Sequence, residues 1–159
     1  MGYKSNELLI RLVNMTGTVF LTGGTGKTST RIASRLKSLD VSVLLASRKG
    51  QAGVPTGYDG VKFDWYDEAT YENPFSGGRS IDAIYIIAPF QVPGRDAVAS
   101  TKQFIDLARE KGVRKFLLMS GICFEKGDAS TPHGPIHAYL DAIGVDYAVI
   151  KPSAFFSES

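Results

Sequence analysis

Three glycines fall within four positions in Thr22-Gly23-Gly24-Thr25-Gly26-Lys27-Thr28, directly after the apolar run Thr18-Val19-Phe20-Leu21 and directly before a segment of helical period. Glycine adopts left-handed backbone without a Cβ clash, and bare backbone lets an anion approach the unpaired N–H groups of a helix start. The helix dipole adds roughly 0.3–1 kcal/mol to that attraction. Gly23, Gly24, Thr25, Gly26, Lys27 and Thr28 are therefore predicted to receive the pyrophosphate of a dinucleotide, the chemistry of a strand, glycine turn and helix in sequence. A triphosphate-binding loop would also end in Gly-Lys-Thr, but it requires a glycine five places before Gly26, where Leu21 stands. Ser29 takes the place of the third small residue of the dinucleotide fingerprint.

The end of the next apolar run selects the cofactor. An NAD site places an Asp or Glu about 20 residues after the turn to hold the ribose hydroxyls. Here the chain reads Ala46-Ser47-Arg48-Lys49, with no carboxylate. A guanidinium makes a bidentate bond to a 2′-phosphate and lies flat against adenine, so Ser47 and Arg48 predict NADP (NADPH). A charged hydrogen bond contributes roughly 1.5–3 kcal/mol, or one to two orders of magnitude in affinity.

These groups must be carried by a scaffold. From Thr18 onward, short apolar runs rich in β-branched residues alternate with longer helical segments, the pattern of βαβ units. The predicted fold is α/β, a doubly wound parallel sheet of about six strands: 18–22, 41–46, 61–63, 83–88, 115–120 and 147–150. Ile32, Ala33, Leu36 and Leu39 give a helix over 26–38 one apolar face, and Val98, Phe104, Ile105 and Ala108 do so for 96–111, with Gly112 as its stop. Shorter helices are predicted near 67–73 and 135–143, and loops over 50–60 and at Gly77-Gly78.

The 159 residues suffice for one such domain, and 43% hydrophobic with 21% charged residues is an ordinary globular composition. The net charge of +2 is dispersed, which predicts neither nucleic acid nor an anionic membrane as partner and leaves a small anionic ligand. Cys123 stands alone, consistent with a reducing compartment, and the apolar cluster of the first sixteen residues is too brief for an export signal or membrane span. A cytoplasmic protein is expected, and an oligomer is compatible with this composition. No metal site is predicted. Cys123 has no cationic neighbour in sequence and reads as inert.

Several blocks, taken in order, resemble one family: Thr22 to Thr28, Ala46-Ser47-Arg48, Phe63-Asp64-Trp65, Lys115 to Ser120, Glu125-Lys126-Gly127, Ile136 to Leu140 and Lys151 to Phe156. The chain is similar to NmrA-like atypical short-chain dehydrogenases, and within them to fungal ergot-alkaloid dehydrogenases of the agroclavine and festuclavine type. The resemblance implies a Rossmann-like NAD(P)-binding domain in which Asp64 and Trp65 lie by the adenine, Ala88, Pro89 and Phe90 pass under the nicotinamide end, and Ser120 closes the crevice. Measured against that family, residues 1–16 are an extension expected to be poorly ordered, 17–159 the NAD(P)-binding domain, and the following substrate-binding part is expected to be absent.

The Tyr-x-x-x-Lys pair of ordinary short-chain dehydrogenases fails, because Tyr139 is followed four places on by Ile143. Reduction of an iminium needs less acid assistance, since the electrophile already carries positive charge. Ser120, Tyr139 and His137 are the candidate proton donors or substrate-positioning groups. The expected function is NADP-dependent reduction of an iminium, imine or enal, a small molecule of fungal indole-alkaloid metabolism. The alternatives are a non-catalytic NmrA-like dinucleotide sensor, or a fragment that holds the cofactor only.

Overall fold

The computed structural model describes residues 17–121 and 123–151. The extension predicted over 1–16, and the resemblance beyond Lys151, lie outside these described residues. The elements run β1 (Thr18–Leu21), α1 (Lys27–Ser38), β2 (Val43–Ser47), β3 (Asp59–Lys62), β4 (Ile81–Ile86), α2 (Ala97–Glu110), β5 (Lys115–Met119), α3 (His133–Ala142) and β6 (Asp146–Ile150). The six strands form one sheet in the order β3-β2-β1-β4-β5-β6, every adjacent pair parallel. This is the doubly wound topology expected from the strand–helix alternation.

Strands covered on both faces carry apolar residues at consecutive positions. All five residues of β2 are buried, as are five of the six in β4. Alternation splits them between two cores. Phe20, Leu44, Ile84 and Phe116 face α2 and α3 through Phe104, Ile105, Ile136 and Leu140, whereas Val19, Leu21, Val43 and Leu45 face α1 through Ala33 and Leu36. Strand order reverses between β1 and β4, so the helices leaving them cover opposite faces and the strand ends open a crevice between them.

Both long helices stop where their sequence ends them. Asp96 caps α2, its carboxylate accepting from the Ala99 N–H at 3.0 Å, and Gly112 (φ +94°) lets the Val113 N–H bond back to the Ala108 carbonyl at 3.0 Å. Leu39, expected on the apolar face of α1, is instead its C-cap and 43% exposed, because Asp40 (φ 61°) turns the chain left-handed. Val98 is only half-buried, with Ala97 and Thr101 taking the buried positions.

The helix predicted near 67–73 is two 3₁₀ turns, Glu68–Thr70 and Asn73–Phe75. Side chains there compete for the backbone: the Thr70 hydroxyl donates to the Asp67 carbonyl at 2.7 Å and the Asn73 amide to Lys62 at 2.9 Å. The predicted loop over 50–60 contains a 3₁₀ turn, Gly50–Gly53, and the start of β3, both held by Gln51, which donates to the Tyr58 carbonyl and accepts from the Gly60 N–H, each at 2.8 Å. Among the described residues, no helix is long and apolar enough to cross a membrane.

Candidate functional site

The three glycines of the turn do three different things. Gly23 has φ +62° and is the one that needs the left-handed region. Gly24 is set by proximity: its N–H donates to the Ala46 carbonyl at 3.1 Å, and a Cβ there would lie 2.6 Å from that oxygen and 2.8 Å from the Ala46 nitrogen. Gly26 is the N-cap of α1 in extended conformation (φ −79°, ψ 163°), and no side chain caps the helix. The N–H groups of its first turn thus have no intrahelical partner, and they lie beside the exposed Thr25 and Lys27 and the half-buried Thr28.

Two hydroxyls fix this turn to the sheet. Ser29, fully buried, donates to the Thr22 carbonyl at 2.8 Å and ties the first turn of α1 to the end of β1. Thr22, also fully buried, donates to the Tyr85 carbonyl at 2.8 Å and accepts from the Ile87 N–H at 2.7 Å, stitching β1 to β4 where their pairing ends. Sequence reasoning assigned Thr22 no such role, although a polar residue closing an apolar strand was the available signal. We predict that Thr22→Val, which keeps the shape but leaves the Ile87 N–H unpaired, costs about 1–3 kcal/mol. Urea unfolding measures this, and Thr22→Ser should recover most of the loss.

Arg48 is exposed just beyond β2 and forms no hydrogen bond or ion pair among the described residues. Ser47 is buried and shapes the turn that presents it: its hydroxyl oxygen accepts from the Lys49 N–H at 3.1 Å, and Gly53 packs so closely that a Cβ there would lie 2.0 Å from it. Since Gly24 bonds Ala46, the glycine turn and the Ser47-Arg48 corner are adjacent.

The remaining predicted residues divide. The Asp64 carboxylate accepts from the Tyr66 N–H at 2.9 Å, closing a turn after β3. Trp65 packs edge-on against Phe63 and Phe104, with centroids 5.0 and 5.6 Å away, and its Nε1–H donates to the Ile87 carbonyl at 3.1 Å. Ala88 and Pro89 are half-buried past β4, whereas the Phe90 ring is 89% exposed. Ser120 is buried, its N–H donating to the Ile150 carbonyl at 2.9 Å, and the register of Ile86 with Leu118 carries it to the same end of the sheet as Ala88.

Tyr139 and His137 are engaged elsewhere. The Tyr139 hydroxyl donates to the Asp106 carboxylate of α2 and its ring lies under the Lys102 ammonium, 5.0 Å from the centroid; that bond to Asp106, with burial, holds the phenol above its ordinary range. His137 meets the Tyr147 ring near the start of β6, the end of the strand away from Ile150. Burial, then the Lys151 and Lys126 ammonium groups, holds its pKa below the ordinary value, which disfavours the imidazolium that a general acid would need.

Known proteins with the same pattern fall into two sets. The chain is 38% identical over 144 residues to festuclavine synthase I of Penicillium roqueforti, covering 87% of this chain and 48% of that protein. It is likewise 38% identical over 139 residues to agroclavine dehydrogenase of Claviceps purpurea, covering 87% and 47%. The chain thus spans about half the length of the curated relatives it matches. Among solved structures, UDP-glucose 4-epimerase of Thermus thermophilus, in complex with NAD, superposes with TM-score 0.66 at 16% identity over 84% of this chain and 54% of that one, a likeness of fold alone. No family model matches.

Proposed function

From its sequence kinship with the fungal agroclavine and festuclavine dehydrogenases, we propose that this chain is the cofactor-holding part of an NADP-dependent oxidoreductase. The substrate class proposed is an iminium, imine or enal of indole-alkaloid type. The observation that carries the cofactor reading is the corner bearing Arg48, without a partner among the described residues, which the Gly24–Ala46 contact holds against the turn that leads into an uncapped helix start.

The residues fit an anionic dinucleotide. Gly24 lets the turn sit against the Ala46 backbone where a Cβ would clash, the first turn of α1 presents N–H groups without intrahelical partners, and Arg48 offers a fork for a 2′-phosphate. When bound, NADPH supplies a hydride. The chain's own contribution is to orient: Thr22 and Ser29 hold the turn rigid against the sheet, and Ser120 closes the β5 side of the crevice. An iminium carbon is electrophilic without protonation, which suits a chain whose Tyr139 is bound to a carboxylate and whose His137 packs against Tyr147 near the start of β6.

The same engagement of Tyr139 favours a second reading, a dinucleotide-sensing regulatory protein of the NmrA-like kind without turnover. NADPH fluorescence titration followed by a turnover assay on a panel of cyclic iminium substrates separates them. Tight NADPH binding with oxidation of cofactor by an iminium supports the reductase. Equal affinity for NADPH and NADP without turnover supports the sensor, and no fluorescence change refutes both.

A further inference from the structure

Past β4 the chain leaves the sheet, and residues 87–96 run across the strand ends before Asp96 caps α2. Ile87 and Ala88 still pack against the two cores, but beyond them apolar burial fades: Phe90 is 89% exposed and Val92 38% exposed. Donors aimed at its carbonyls hold it instead. The Trp65 indole N–H reaches the Ile87 carbonyl at 3.1 Å, and the Tyr66 hydroxyl donates to the Phe90 carbonyl at 2.5 Å.

Tyr66 is itself braced, because Arg95 at the far end of the strap donates to the Tyr66 carbonyl at 3.0 Å and stacks its guanidinium 5.3 Å from the ring centroid. Gln91 spans the strap from inside, donating to the Arg95 carbonyl and accepting from the Ala97 N–H at 3.2 Å. The Tyr71 hydroxyl donates to the Trp65 carbonyl at 2.6 Å, anchoring the clamp in the core.

Resting on the cofactor reading above, the direction of the ligand follows from the sheet. Arg48 marks the β2 side of the turn for the adenosine phosphate, so the other half of a dinucleotide extends from the turn toward β4 and the strap. We infer that Tyr66 and Trp65 are positioning residues that set the strap, through the Phe90 and Ile87 carbonyls, for the nicotinamide half of the cofactor. Neither touches the reacting atoms by this assignment.

The test compares two probes on the full chain: NADPH, and adenosine 2′,5′-bisphosphate, which lacks the nicotinamide half. Tyr66→Phe removes one donor and keeps the ring under Arg95. NADPH should bind about threefold to tenfold more weakly while the bisphosphate is unchanged, in line with one lost hydrogen bond. Amide exchange over 87–96 in the ligand-free chain should be severalfold faster in Tyr66→Phe, and likewise in Trp65→Phe, which keeps an aromatic ring toward Phe63 and Phe104 but loses the donor to the Ile87 carbonyl. Equal weakening of both probes, or unchanged NADPH affinity, overturns the inference and leaves the cofactor reading intact. A wild-type chain that binds neither probe overturns the cofactor reading and this inference with it.

Discussion

Gly24→Val is expected to lose NADPH binding by more than a hundredfold and to unfold at markedly lower denaturant than the wild-type chain. A Cβ at this position would sit 2.6 Å from the Ala46 oxygen, 2.8 Å from the Ala46 nitrogen and 2.8 Å from the Leu45 Cβ. Two of these three are backbone atoms of a central strand, so neither rotamer change nor loop movement relieves the clash. The turn itself has to move away from β2, which breaks the Gly24–Ala46 hydrogen bond and swings the first N–H groups of α1 off the phosphate position. Loss of two charge-assisted bonds at roughly 1.5–3 kcal/mol each accounts for the affinity, and overpacking of this kind costs about 3 kcal/mol in stability. Gly24→Ala should lie between wild type and Gly24→Val in both measurements. By contrast Gly26→Ala should be mild, because Gly26 has ordinary backbone angles and its Cβ would approach only the Gly23 oxygen, at 3.2 Å. Calorimetric titration of the three variants, with urea unfolding alongside, tests the ranking; equal effects at 24 and 26 would contradict it.

Arg48→Asp should weaken NADPH by tenfold to a hundredfold or more while leaving NADH within a few-fold of its wild-type affinity. Arg48 is exposed and makes no bond among the described residues, so its removal costs the fold little. What changes is the charge facing a 2′-phosphate. The guanidinium contributes roughly 1.5–3 kcal/mol through a charged hydrogen bond, and a carboxylate adds repulsion in its place. NADH carries hydroxyls there, which a carboxylate accepts from. The effect on NADPH should also shrink as salt rises, since an exposed pair is screened. Parallel titrations with both cofactors decide it, and equal losses for the two would show that Arg48 does not face the 2′ position.

The inner strands were legible because strands covered on both faces must be apolar without interruption, as in Val43 to Ser47 or Ile81 to Ile86, whereas the edge strand Asp59–Lys62 has no buried residue and starts two residues before the predicted 61–63. The stop at Gly112 was legible for a local reason, one left-handed glycine, whereas Asp96, expected as the first residue of the helix, is its N-cap. The segment 67–73 was misread as a helix, because the Thr70 and Asn73 bonds that cut it into 3₁₀ turns run to Asp64, Asp67 and Lys62 and do not show in its own periodicity.

For the site, the sequence by itself determined the glycine turn ahead of α1 and the cationic corner that follows β2, since both are local: glycine where no Cβ fits, and arginine where the dinucleotide pattern has a carboxylate. Only the tertiary structure decided how the glycines divide their work, that Thr22 stitches β1 to β4, that Tyr66 grips a strap 24 residues further on, and that Tyr139 is spent on Asp106 across a helix pair. Those are contacts between residues distant along the chain. Their partners are chosen by strand order and helix packing, and no spacing within a single segment encodes them.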